Sequence, residues 1–168
     1  MNHFPQIIDE NIPGLQKFWW APVSYFSSID DPVNYIISSI NFVQGKNWFN
    51  GWSLNRLLLP EEKPKYTDHG DIYHNALSGK VPKDTPSIVD LFVEIRSYRH
   101  IVVYQDNNGY YKLLGSLDSP CIFEFKLLKN NDSNEYHFSF RSISTKPLYF
   151  LSTIDFPSVS KSASLSSS

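Results

Sequence analysis

From residue 100 to residue 151, apolar and polar side chains alternate in short runs separated by turn-forming residues, the period-two pattern of β-strands. Over 122–128, Phe123, Phe125 and Leu127 share one face and Glu124 and Lys126 the other. Beyond Asn130-Asn131-Asp132-Ser133-Asn134, the residues Tyr136, Phe138 and Phe140 alternate with His137, Ser139 and Arg141. This predicts a hairpin with one dry and one wet face. An earlier hairpin is predicted from Ile101-Val102-Val103-Tyr104 and Tyr110-Tyr111-Lys112-Leu113-Leu114, joined by Asp106-Asn107-Asn108-Gly109, where Asn-Gly supplies the positive φ of a tight turn. One segment carries the helical period instead. Thr85 is placed to cap it, Pro86 falls in the first turn, Ile88, Leu91, Phe92 and Ile95 form an apolar stripe, and Arg96 and Arg99 sit near the C-terminal end. A helix over 85–98 is therefore predicted to cover an open sheet face.

The N-terminal half is less regular. In the span 14–26, Leu15, Lys17, Trp19 and Ala21 share one face and Gln16, Phe18 and Trp20 the other, so a strand covered on both sides is predicted, with Pro22 at an edge or a bend. Asp30-Asp31-Pro32 marks a turn or a helix start. The span 33–43 has Ile36, Ile37 and Ile40 at helical spacing, yet β-branching favours a strand. Gly45-Lys46-Asn47 and Asn50-Gly51 bracket Trp48 and Phe49; 52–59 reads as a strand, 60–65 as an exposed connection, and Tyr66 as the start of the next segment. The organisation expected is a polar lead-in over 1–13, one β-rich domain over 14–156 and a serine-rich tail over 157–168, mobile unless a neighbouring subunit holds it. The fold class predicted is mainly β: an antiparallel β-sandwich or barrel with one flanking α-helix.

Composition narrows the classes of function. Fifteen basic and 17 acidic side chains give a net charge of −2 with no concentration of one sign, so no basic stripe exists for broad capture of nucleic acid. The N-terminus shows no signal-peptide pattern, and no run reaches 18 apolar residues; a soluble chain made in the cytoplasm, away from membranes, is expected. With no secretory signal, Asn131-Asp132-Ser133 reads as a chance match to a glycosylation acceptor. Cys121, the single cysteine, is expected to be a buried inert thiol. Against this plain background stand 4 Trp, 10 Tyr and 12 Phe, each ring able to bury about 150–250 Å² in a core or an interface.

No set of residues composes a reaction centre. His69 and His74 in Asp68-His69-Gly70-Asp71-Ile72-Tyr73-His74 do not share a helix or strand face, and a turn leading into a strand is the better reading. The turn at Asp106 has Leu117 where a calcium loop needs its bidentate Glu. Nothing ties any two of Asp90, Glu94, Asp118 and Glu124 into a carboxylate pair. No Gly-x-Ser-x-Gly elbow, no Cys–His pair and no glycine-rich phosphate loop occurs. The expectation is therefore no enzyme, no cofactor and no metal. Trp19, Trp20, Trp48 and Trp52 are the candidate functional residues, either as core or as interface anchors. Because Trp19 and Trp20 are adjacent in a strand they face opposite sides, which predicts that at least one leaves the core.

The succession of a helix ending near Arg96, the strand Ile101–Tyr104, Asp106-Asn107-Asn108-Gly109, Lys112-Leu113-Leu114-Gly115-Ser116, Pro120-Cys121-Ile122-Phe123 and Tyr136-His137-Phe138-Ser139-Phe140-Arg141 is similar to small virion or prophage structural proteins of phages infecting Bacteroidetes. Those proteins carry a [KR]-L-[LV]-G strand and a phenylalanine-rich hairpin closing near a Thr-x-Pro segment, here Thr145-Lys146-Pro147; the likeness covers about residues 50–151. The order strands, helix, strands also resembles the tail-tube fold shared by phage tail tubes, tail-completion proteins and type VI secretion tubes. The resemblance implies a tail or neck (head-to-tail connector) ring component in the virion. Its partners would be copies of itself and other virion structural proteins, with passive contact to DNA if the ring lines a channel. The alternative from another class is a carbohydrate-binding β-sandwich presenting Trp or Tyr on a flat face.

Overall fold

The structure, a computed structural model, describes residues 15–54 and 57–152, and these form a mainly β sandwich with one flanking helix. A central sheet holds β1 (Leu15–Pro22), β3 (Ile36–Ile37), β5 (Phe49–Asn50), β8 (His100–Asp106), β9 (Tyr111–Leu114) and β12 (Tyr149–Leu151) in the order β3-β12-β9-β8-β1-β5, antiparallel except for β3 beside β12. A second sheet, β10-β11-β7-β6, is built from β6 (Leu59–Thr67), β7 (Gly70–Pro82), β10 (Ile122–Lys129) and β11 (Asn134–Ser144). A small third sheet pairs β2 (Phe26–Ile29) with β4 (Ile40–Phe42). The helix α1 spans Pro86–Arg96. Neither large sheet closes among the described residues, so the barrel form of the predicted fold is not adopted. The two sheets touch at one corner through an antiparallel bridge between His100 and Cys121.

Two cores result, one on each face of the central sheet. Between the large sheets, Phe18, Val102, Tyr104 and Leu114 meet Leu77, Phe123, Phe138 and Phe140, and α1 adds Phe92 and Ile95. On the opposite face, Trp19, Ala21, Ile101, Val103 and Leu113 are covered by Phe26 and Trp48, with Ile40 and Phe42 packed at the margin. This second core explains why neither face of β1 is polar in sequence: Phe18 points into one core and Trp19 into the other. Pro22 ends β1 at a single 3-10 turn, Val23–Tyr25, the bend its missing N–H anticipated.

Both predicted hairpins form, β8–β9 and β10–β11, the latter in regular register from Ile122↔Arg141 to Lys129↔Asn134. Other expectations are corrected. Thr85 makes no side-chain cap; its Oγ1 lies 3.2 Å from Ser87 Oγ, and Pro86 leaves the first turn with one fewer N–H to satisfy. Leu91 stands outside the buried stripe. The strand reading of 33–43 holds over the helical one, but as two short strands in different sheets, with a tight turn just before β3 in which Asn34 and Tyr35 both take positive φ. No strand starts at residue 52, because the loop there completes another strand's ladder: Lys80 N donates to Ser53 Oγ at 2.9 Å, and Lys80 O accepts from Leu54 N at 2.9 Å. The expected connection over 60–65 lies within β6, and Tyr66 belongs to the end of that strand, one residue before Thr67 closes it, instead of opening another. Pro60 and Pro64 are tolerated because β6 is the edge of its sheet and, being four apart, both turn their ring nitrogens the same way, out of the ladder. The lead-in over 1–13 and the serine-rich tail lie outside the described residues.

Candidate interaction surface

The four tryptophans separate into core and surface. Trp19 is 6% exposed and Trp48 4%; Trp48 meets Phe26 and Phe42 edge-to-face at 5.1 and 5.3 Å. Both serve this chain's own second core and present no face to a partner. The expectation that Trp19 or Trp20 must leave the core did not allow for a second core on the far side of the sheet. Trp20 is half-buried at the margin of the first core, and Trp52 stands 58% exposed on the loop after β5.

Around Trp20 the surface is apolar and concave. β5 lies beside β1 in the register Trp20↔Phe49, so these two rings fall on one face and stack at 4.7 Å. Tyr25, from the 3-10 turn, approaches Phe49 at 5.8 Å. From the other side α1 contributes Leu91 and Glu94, and Tyr98 follows the helix; together these line a cleft of about 350 Å³. Phe49 is 42% exposed and Tyr98 52%. Sequence reasoning missed both Phe49 and Tyr98. The signal present was the adjacency of Trp48 and Phe49: neighbouring side chains in extended backbone point to opposite sides, so with Trp48 in the second core Phe49 faces the other way.

The outward face of the second sheet is different in kind. It carries Lys80, Glu135 and His137 as a cross-strand trio, with Lys80 Nζ 2.8 Å and His137 Nε2 2.7 Å from the same Glu135 oxygen. The hydrogen bond from Lys80, then that from His137, holds the Glu135 carboxyl below its ordinary value. Arg141 and Glu124 pair at 3.2 Å on the same face. By register this face holds no Phe, Tyr or Trp among the described residues.

The remaining polar candidates have local roles. Asp68 and His69 make the β6–β7 turn. Asp106 Oδ1 accepts from the backbone N–H groups of Asn108 and Tyr110, at 2.9 Å each, and so holds its own turn closed. Glu94, Asp118 and Glu124 line three different depressions. Cys121 is fully buried with Sγ 3.3 Å from Leu114 O, and burial pushes its thiol up to about 12, far from any nucleophilic state. His100 is buried beside it, Nε2 2.6 Å from Ile95 O. Among the described residues no three of His, Cys, Asp and Glu gather as a metal-holding group, and no helix is long and apolar enough to cross a membrane.

Comparison with known proteins returns no match: no family model, no curated protein and no solved structure aligns significantly with the chain.

Proposed function

We propose that this chain is a non-enzymatic structural protein of a phage-type virion, a tail or neck ring component that packs beside copies of itself and adjoining virion proteins. The observation that carries the reading is the location of its surplus apolar surface. Two cores are already filled, yet Phe49, Leu91, Tyr98 and Trp52 remain largely exposed, the first three gathered at the β5 margin of an open sheet. Apolar surface beside an unclosed sheet edge is the kind that subunit contacts bury. The sequence likeness over 50–151 supplies the virion context. Size-exclusion chromatography with light scattering, followed by electron microscopy, tests it: ring-sized assemblies are expected, alone or with a neighbouring virion protein. A monomer at every concentration, indifferent to such partners, refutes it.

Exposed Trp52 favours a second reading, a sugar-binding module. Its flat platform is lacking on the second sheet, whose outward face is aliphatic and charged. Glycan binding lost on Trp52→Ala would establish this reading over the first.

A further inference from the structure

The two edges of the second sheet are built in opposite ways. β6 carries Pro60 and Pro64 and a run of charges, devices that blunt an edge against pairing. β10 has no proline and no bulge, and among the described residues no backbone hydrogen bond from outside its ladder with β11 reaches 122–129; only the preceding residue, Cys121, is tied to His100. An edge of this form is a template for another strand.

We propose that a second copy of this chain is that strand's source, the two β10 strands pairing antiparallel about a two-fold axis at Phe125 so that the second sheet runs on unbroken through both copies. The segment is self-complementary. In such a pairing every residue meets one of the same face, so the axis must pass through a residue position. Centred on Glu124, two carboxylates would oppose each other; centred on Lys126, two ammonium groups would. Centred on Phe125, each Glu124 faces Lys126 of the partner, Phe123 faces Leu127, Ile122 faces Leu128, and Phe125 faces its own counterpart. That register satisfies both charges and matches apolar with apolar at every other position from 122 to 128.

The surroundings agree. Glu124 binds Arg141 through Oε2 alone, leaving Oε1 for a second cation, and both side chains are more than half exposed. Lys126 is exposed and has no acidic partner among the described ion pairs. Ile122 and Leu127 are 36% and 38% exposed. On α1, Val89 and Val93 are also exposed and lie one turn apart in the file that ends at Arg96, whose side chain shares a depression with Glu124, Phe125 and Lys126. In the proposed pairing this valine file would supply the second layer that a single pair of strands needs to reach a stable interface. The contact stands apart from the aromatic cleft: a ring built through β5 could form with or without it, and if rings form, the β10 contact would join one ring to another.

The test is charge reversal read by sedimentation equilibrium on the full-length chain. The parent is expected to dimerise. Glu124→Lys and Lys126→Glu each turn two attractions into two repulsions and should weaken association by roughly tenfold. The double variant restores opposite charges and should recover most of that loss. A parent that stays monomeric, single reversals without effect, or a double variant weaker than either single overturns the proposal. Rings that survive both reversals, with no pairing between them, would sink this contact and spare the ring reading; a dimer sensitive to both, with no rings, would do the reverse.

Discussion

Replacing Trp48 and Trp52 in turn by alanine separates the core from the surface most sharply. Trp48 is 4% exposed and locked between Phe26 and Phe42. A ring of this class buries about 150–250 Å², which at about 25 cal/mol per Å² amounts to ~4–6 kcal/mol. Residual burial in the unfolded chain lowers this to ~3–5 kcal/mol, the range of measured Trp→Ala costs. Trp52, 58% exposed, covers less than half as much, and its loss should cost no more than about 2 kcal/mol. Urea denaturation followed by circular dichroism measures both. With a slope of about 2 kcal/mol per molar, Trp48→Ala should lower the midpoint by roughly 2 M, and Trp52→Ala by 1 M or less. If Trp48→Ala lies within about 1 kcal/mol of the parent at unchanged slope, the small sheet does not pack on the central sheet as described, and the assignment of Trp48 to the core fails.

Three further outcomes follow from buried groups. Burial holds the His100 imidazole below its ordinary value, with Arg99 adding to the shift, so the unfolded chain takes up a proton near pH 6.5 that the folded chain refuses. Stability present above that pH is lost as the pH falls through it, by at most about 1.4 kcal/mol per unit, and His100→Phe should flatten the slope between pH 7 and 5; an unchanged slope excludes His100 as its source. Cys121 should resist Ellman's reagent at pH 8 in native protein and react at once in denaturant; rapid native reaction would contradict its burial. Gly51→Ala would set a β-carbon 2.1 Å from the Phe18 ring, costing about 1–3 kcal/mol by overpacking, and a variant melting with the parent would show that Phe18 can yield.

The parts of this fold legible in sequence are those where one local rule acts alone. Alternation in 122–128 and 136–143 specified β10–β11 with its dry face, since Phe138 and Phe140 are buried while His137 and Arg141 are not. Helix α1 was equally plain, although its cap was not: Thr85 turns to Ser87, a choice made by the loop. Where two influences meet, local reading failed. Pro60 and Pro64 read as a connection because proline cannot donate to a ladder, yet that objection vanishes on an edge strand, and edge position is a property of the whole sheet. Leucine-rich 52–59 reads as a strand, but Ser53 and Leu54 are spent on Lys80.

The same limit explains the tryptophans. Trp19 and Trp20 must part to opposite faces, and a domain with one core would force one of them out; here the short strands β2 and β4 build a second core from Phe26 and Phe42, too brief in sequence to announce a layer. Once that layer exists, Trp19 and Trp48 are accounted for by folding, and the question of assembly passes to rings that folding does not require. Phe49 and Tyr98 are such rings: one is set on the face of Trp20 by the β1–β5 register, the other lies just past the end of α1. Their exposure is a consequence of topology and not of sequence pattern. On the ring reading proposed above, subunit contact is expected where the helix meets the β5 margin, a surface whose type of residue the sequence could name without naming its members.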